Sequence, residues 1–345
     1  MSYTNGLDKP TDYFNTKLYT GNGSTQSITG VGFQPDFTWI KDRDGNRRHY
    51  LFDAVRGVYK ELNSDDVQAE ENKTNSLTNF DSDGFTVSDL GDVNFSGDNF
   101  ASWNWKANGT GVSNTDGSIT STVSANTTSG FSIVSYTGTG ANATVGHGLG
   151  VAPNMIINKC RTATQNWATY HSSLGGTKAL FLDGDDAETS SVSYFNNTNP
   201  TSSVFSVGNS GDTNKSSQTH ISYCFAEKKG FSKFKSYVGN GNADGTFIYT
   251  GFKPAFVIFK RTSGTQDWGL FDNKRSNYNP VDELIYPNYS LAESGDNANK
   301  FDFVSNGFKL RASGQQMNQS GDTYIYMAFA ENPFVTSTGI PTVAR

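Results

Sequence analysis

Phe33-Gln-Pro35-Asp-Phe-Thr-Trp-Ile-Lys41 returns twice farther along the chain, as Val151-Ala-Pro153-Asn-Met-Ile-Ile-Asn-Lys159 and Phe252-Lys-Pro254-Ala-Phe-Val-Ile-Phe-Lys260. A proline followed by a short apolar run reads as a strand entered from a fixed turn. Ala255-Phe-Val-Ile-Phe259 is apolar throughout, as expected of a strand covered on both faces. Working outward, Tyr19-Thr-Gly-Asn-Gly23, Tyr136-Thr-Gly-Thr-Gly140 and Tyr237-Val-Gly-Asn-Gly241 precede the three prolines. Asp53, His171 and Asp272 stand at one common distance after them. Ser96-Gly-Asp98, Ser210-Gly-Asp212 and Ser320-Gly-Asp322 then align, followed by last strands holding Trp103-Asn-Trp105, Tyr223-Cys-Phe225 and Met327-Ala-Phe329. Ordered anchors repeated three times mark three homologous repeats.

The boundaries follow. An N-terminal arm spans 1–12, repeat 1 spans 13–107, repeat 2 130–229, repeat 3 230–334, and a C-terminal arm 335–345. Residues 108–129, almost wholly Gly, Ser, Thr, Asn and Ala, read as an extended linker or a poorly packed edge strand around Gly117 to Val123. Repeats 2 and 3 meet at Lys228-Lys229-Gly230 and are expected to pack rigidly. Asp83-Gly84-Phe85 and Asn306-Gly307-Phe308 supply hairpin turns. One helix-like stretch, Val58 to Glu71, predicts a turn or two. The fold class is all-β: three tandem antiparallel β-sandwich modules of jelly-roll or lectin-like kind, stacked as separate beads.

Composition agrees. Gly, Ser, Thr and Asn make 144 of 345 residues, only 17% are charged, and 13% are aromatic. Turn and strand formers abound, and the aromatics suffice to build cores, which argues against disorder. No apolar run reaches the roughly 20 residues of a membrane-crossing helix. A net charge of −6 without a basic stripe disfavours nucleic acid. The N-terminus lacks a basic and apolar leader, so export by a signal peptide is not expected. Cys160 and Cys224 lie in apolar runs and read as buried thiols rather than a bridge.

The candidate sites are few. His49, His147, His171 and His220 form no recognisable catalytic or metal-binding motif. Trp167 and Trp268 align with each other near a strand end, and are the candidates for exposed aromatic platforms that stack on sugars, weighed against core packing. Trp39 and Trp103 align with aliphatic or aromatic core positions. Asp183, Asp185, Asp186 and Glu188 form the densest oxygen-rich loop, a candidate Ca²⁺ site although its spacing matches no defined calcium loop. Its counterparts Asp65-Asp66 with Glu70-Glu71, and Glu293 with Asp296, are also acidic. No other cofactor is implied.

The runs Gly130-Phe-Ser-Ile-Val-Ser-Tyr-Thr-Gly138, Val145-Gly-His-Gly-Leu-Gly-Val-Ala-Pro153 and Tyr326-Met-Ala-Phe-Ala-Glu-Asn-Pro-Phe334 are similar to a repeat family in virion structural proteins of tailed bacteriophages of marine bacteria, cyanophages among them. Those proteins are often labelled tail fibre or tail proteins. The resemblance spans Tyr13 to Phe334 and brings no catalytic residues. It implies a virion location, other virion proteins as partners, and a lectin-like sandwich. The expected function is a non-enzymatic tail adhesin, homo-oligomeric, attaching through many weak contacts to a host-surface glycan. Alternatives are a capsid decoration protein whose arms clamp the head and, more remotely, a glycan depolymerase with paired carboxylates.

Overall fold

The computed structural model describes residues 7–295 and 298–342. It is all-β, with several antiparallel sheets. Each repeat contributes four strands in one spatial order. In repeat 1 these are Phe14–Thr20, Asn99–Trp105, Phe37–Asp42 and His49–Asp53. In repeat 2 they are Phe131–Thr137, Thr219–Phe225, Met155–Cys160 and Ala168–His171. In repeat 3 they are Ser232–Val238, Thr323–Pro333, Phe252–Arg261 and Gly269–Asp272. The last strand of each repeat therefore lies in the middle of its sheet. Alternation along that strand sends every second side chain to the same face.

The repeats are not separate beads. One face of all three sheets opens onto a single core holding Trp39, Trp103 and Trp105 from repeat 1, Ile133, Tyr223 and Phe225 from repeat 2, and Phe256, Ile258 and Phe329 from repeat 3. Trp105, Phe225 and Phe329, equivalent by register, form its central triangle, with ring centroids 5.7, 6.2 and 6.0 Å apart. The opposite faces each pack on a smaller sheet over a core of their own. In Phe252–Arg261 the inward Phe256 and Ile258 enter the common core, while Val257 and Phe259 enter the outer core of repeat 3. That double burial is why this run carries no polar alternation. Tandem linkage alone is compatible with beads, but large apolar side chains on both sheet faces demand two layers of cover.

Three local expectations change. Residues 108–129 include two strands, Val112–Asn114 and Ser121–Asn126, the second pairing along Phe131–Thr137. Val58 to Glu71 holds no helix; it carries Lys60–Glu61 and, with Asn72, Glu71–Asn72 as a two-stranded ribbon, and the loop between them touches repeat 2 where the Glu70 N–H donates to the Arg161 carbonyl. Register shows that Ser96-Gly97-Asp98 corresponds to Ser216-Ser217-Gln218, not Ser210-Gly-Asp212, because Asn99, Thr219 and Thr323 open equivalent strands.

The anchor that recurs is an asparagine. Asn94, Asn214 and Asn318 accept from the backbone N–H groups of Asn22, Thr139 and Asn240 at 2.9, 2.7 and 2.9 Å. Beside them, the hydroxyls of Tyr19, Tyr136 and Tyr237 donate to the carbonyls of Val93, Thr213 and Met317.

Both arms lie on this body in their described parts. Leu7 is buried in the common core, and the Asp8 carboxylate accepts from the N–H and hydroxyl of Ser337. Cys160 and Cys224 are buried and unbridged.

Candidate functional site

Trp167 and Trp268 are not surface platforms: they are 0% and 1% exposed. Each lies in a seam between repeats and uses its indole N–H to hold the next loop. Trp167 Nε1 donates to the carbonyls of Asn63 and Asp66 at 2.8 and 3.1 Å, and Trp268 Nε1 donates to Phe181 at 2.8 Å. His49 takes the third position. Its Nδ1 accepts from Trp39 Nε1, so Nε2 carries the hydrogen toward the Tyr286 carbonyl at 3.0 Å. The three contacts run from repeat 2 to repeat 1, from 3 to 2, and from 1 to 3, closing a ring.

The acidic loops belong to the same seams. Asp183 accepts from the Trp167 N–H at 2.8 Å, and Glu188 pairs with Lys178. The Asp185 carbonyl accepts from Gln266 N–H, and Asp186 lies near Lys260 with Asp185. Among the described residues, no three His, Cys, Asp or Glu side chains converge to hold a metal ion, so Asp183, Asp185, Asp186 and Glu188 do not build the expected calcium site. The Asp183 and Glu188 carboxylates instead meet partners within repeat 2, and the hydrogen bonds that cross the seam are backbone ones, Gln266 N–H to the Asp185 carbonyl and Glu188 N–H to the Thr262 carbonyl. Asp296 lies outside the described residues.

Lys41, Lys159 and Lys260 are fully buried at equivalent positions. Lys41 donates to the Ser290 carbonyl of repeat 3 at 3.3 Å, and Lys159 to the Val67 carbonyl of repeat 1 at 2.7 Å. Burial lowers all three ammonium pKa values to about 8, against the pull of nearby carboxylates. The four histidines are also 0% exposed. Burial pushes His171 and His220 down to about 4, so their rings are neutral hydrogen-bonding parts of the interior. Trp39 and Trp103 are core residues, as expected.

A further candidate lies at the outer end of repeat 3. A cavity of about 780 Å³ is bounded by Ser276 to Asn279, Val281, Phe303 to Ser305, Asn273, Lys253 and Thr342. Its loop leaves the sheet at Asp272, whose Oδ1 accepts from the N–H groups of Lys274 and Arg275 at 2.9 and 3.0 Å. It is closed by Asn279, whose amide bonds both sides of the Phe303 backbone at 2.7 and 3.0 Å, and by Val281 bridging Phe301. Between these anchors Tyr278 is 86% exposed. The Asn273 side-chain oxygen is buried with no partner among the described residues. The lining thus offers an aromatic face, amides, hydroxyls and one cation, Lys253, paired to Glu331 at 2.7 Å; it includes no carboxylate. In repeat 1 the loop is shorter: the half-buried Tyr59 bonds its N–H to the Leu77 carbonyl as Val281 bonds to Phe301, so Tyr278 has no counterpart there.

The signal for this groove was present in Ser276-Asn-Tyr-Asn-Pro280, an aromatic residue among neutral polar ones.

A family model described as a domain of unknown function matches residues 9–333. No curated protein and no solved structure matches the chain.

Proposed function

The chain belongs to the DUF7483 family over residues 9–333, and from that premise we propose a non-catalytic adhesin whose repeat 3 binds a glycan beside Tyr278. We further read the three repeats as homologous lectin-like sandwiches closed into a ring, carried on the surface of a tailed-phage particle. The observation that carries the binding reading is the exposed Tyr278 ring within a groove of amides and hydroxyls. Sugar C–H faces stack on aromatic rings, while their hydroxyls exchange hydrogen bonds with neutral polar groups. Binding is favoured over hydrolysis because the groove lining brings no pair of carboxylates to a glycosidic bond. The virion placement rests on the similarity of the repeat motifs.

Titrating host polysaccharide fragments into the purified protein tests the site. Tyr278→Ala is expected to weaken binding at least tenfold, the scale of one lost aromatic contact, with unchanged thermal unfolding. Equal binding by the variant would remove the groove from consideration, and shortened polysaccharide would overturn the non-catalytic reading. Locating the protein in an electron-microscopy map of the particle tests the placement. Density on the tail supports the adhesin, and density on the head makes it a decoration protein.

A further inference from the structure

In repeat 2 the outer edge of Phe131–Thr137 is covered by Ser121–Asn126, in register from Ser121 opposite Tyr136 to Asn126 opposite Phe131. The covering hairpin also settles on the smaller sheet. Ser121 Oγ donates to the Gly146 carbonyl at 3.0 Å, and a Cβ placed on Gly146 would lie 1.7 Å from Asn114 Oδ1. The hairpin's Asn114 side chain thus occupies the space beside Gly146.

Ser232–Val238 is the same strand in repeat 3, since Tyr237 faces Tyr324 as Tyr136 faces His220. It is the terminal strand of its sheet: no described strand pairs with its outer edge, where the Phe234 N–H meets the Glu227 carboxylate at 3.4 Å and the Val238 carbonyl accepts from the Thr246 hydroxyl at 3.1 Å. Tyr249 stands in the place of Gly146, by its pairing with Gly307 at the start of the partner strand. It is 60% exposed beside a cavity of about 710 Å³ lined by Ser232, Lys233 and Phe334. Repeat 1 differs at this place. Its terminal strand Phe14–Thr20 has Thr29 at this position, and the Lys17 ammonium lies 3.1 Å from where a Gly30 Cβ would stand.

We propose that the edge of Ser232–Val238 is a strand-addition site for an extended Ser/Thr-rich segment of a partner protein, with Tyr249 as its main side-chain contact. Main-chain pairing supplies the attachment, and the aromatic groove selects the side chains. Lys235 replaces the buried Val134 of repeat 2 and is exposed. An edge lysine opposes indiscriminate pairing, and it favours a segment with an acidic residue directly across. This site is separate from the glycan groove and does not depend on it.

The test uses the full chain and two synthetic peptides: the sequence of residues 117–126, and the same sequence with Val123→Glu to face Lys235. Hydrogen exchange with either peptide should slow across 232–238 and stay unchanged across 14–20, with the glutamate peptide binding more tightly. Tyr249→Ala should weaken both about tenfold and leave the binding of host polysaccharide fragments as it was. Unchanged exchange at millimolar peptide, or protection confined to 131–137, would overturn the proposal. Protection at 232–238 that rises with protein concentration alone would replace the foreign partner by a second copy of this chain.

Discussion

Glu61 is a carboxyl that water scarcely reaches: the residue is 4% exposed and its Oε2 has no hydrogen-bond partner among the described residues. Desolvation raises its pKa to about 7; Lys73 and Arg56 pull it down, while Glu71 and Asp92 push it up. The folded state therefore binds a proton more tightly than the unfolded chain. The associated stability is present in acid and is lost as pH rises from about 4.5 to about 7. Glu61→Gln should flatten this slope and stabilise the protein at pH 8 by roughly 2 kcal/mol, read from denaturant unfolding at pH 5 and pH 8. Ser217 makes a second case. It holds φ at +60°, where its counterparts Gly97 and Gly321 hold +92° and +81°. A left-handed backbone costs a residue with a Cβ about 1 kcal/mol, so Ser217→Gly should stabilise the fold by roughly 0.5–1 kcal/mol, read as a higher denaturation midpoint. A lower midpoint would mean that the serine hydroxyl makes a compensating contact.

At the scale of the element, the seams show substitutions that move together. In two of them a buried aspartate accepts from the neighbouring repeat: Asp53 from the Tyr223 hydroxyl at 2.8 Å, and Asp272 from Trp103 Nε1 at 3.0 Å. Arg56 and Arg275 pair with those aspartates and reach Glu70 and Glu293, which in turn bind Arg161 and Arg43 of the next repeat. In the third seam the donor position is Met327, which has no N–H or O–H to give. There the aspartate becomes His171, the first arginine Leu174 and the second Thr262. His171 is neutral, its Nδ1 accepting from Ser173 N–H, and its Nε2 meets the Tyr326 carbonyl at 3.2 Å. A buried charge is retained only with its full set of partners. Arg56→Leu should thus cost about 3–5 kcal/mol by stranding Asp53, and Asp53→His combined with Arg56→Leu should cost less than Arg56→Leu alone. A double variant as unstable as the sum of its singles would contradict this coupling.

For the whole molecule, the shared core makes the repeats mutually dependent. Repeat 2 alone would expose Ile133, Met155, Ile157, Tyr223 and Phe225, all of which lie in the common core. An isolated fragment of residues 108–229 is expected to aggregate or bind hydrophobic dye, whereas the full chain should unfold in one calorimetric transition. Three separate transitions would restore the picture of beads.

Much of this was legible. The recurrence of Pro35, Pro153 and Pro254 with their trailing lysines predicts three equivalent strands, and the unbroken apolar run of Ala255 to Phe259 predicts cover on both faces. The buried thiols and the structural role of His171 were legible for the same reason: each sits inside a repeated, mostly apolar context. What covers the second face was not legible, because the pattern of one strand records burial and not the identity of its neighbour. Trp167 and Trp268 illustrate the limit. Their sequence position at a strand end is the same whether a loop of another repeat or solvent lies over them. Sequence by itself determined the all-β class and the threefold recurrence of the strand that follows each proline, since local alternation and turn chemistry fix those. Only the tertiary structure decided that three such units close around one core, because closure depends on contacts between residues far apart along the chain, and that Tyr278 rather than a tryptophan is left facing water.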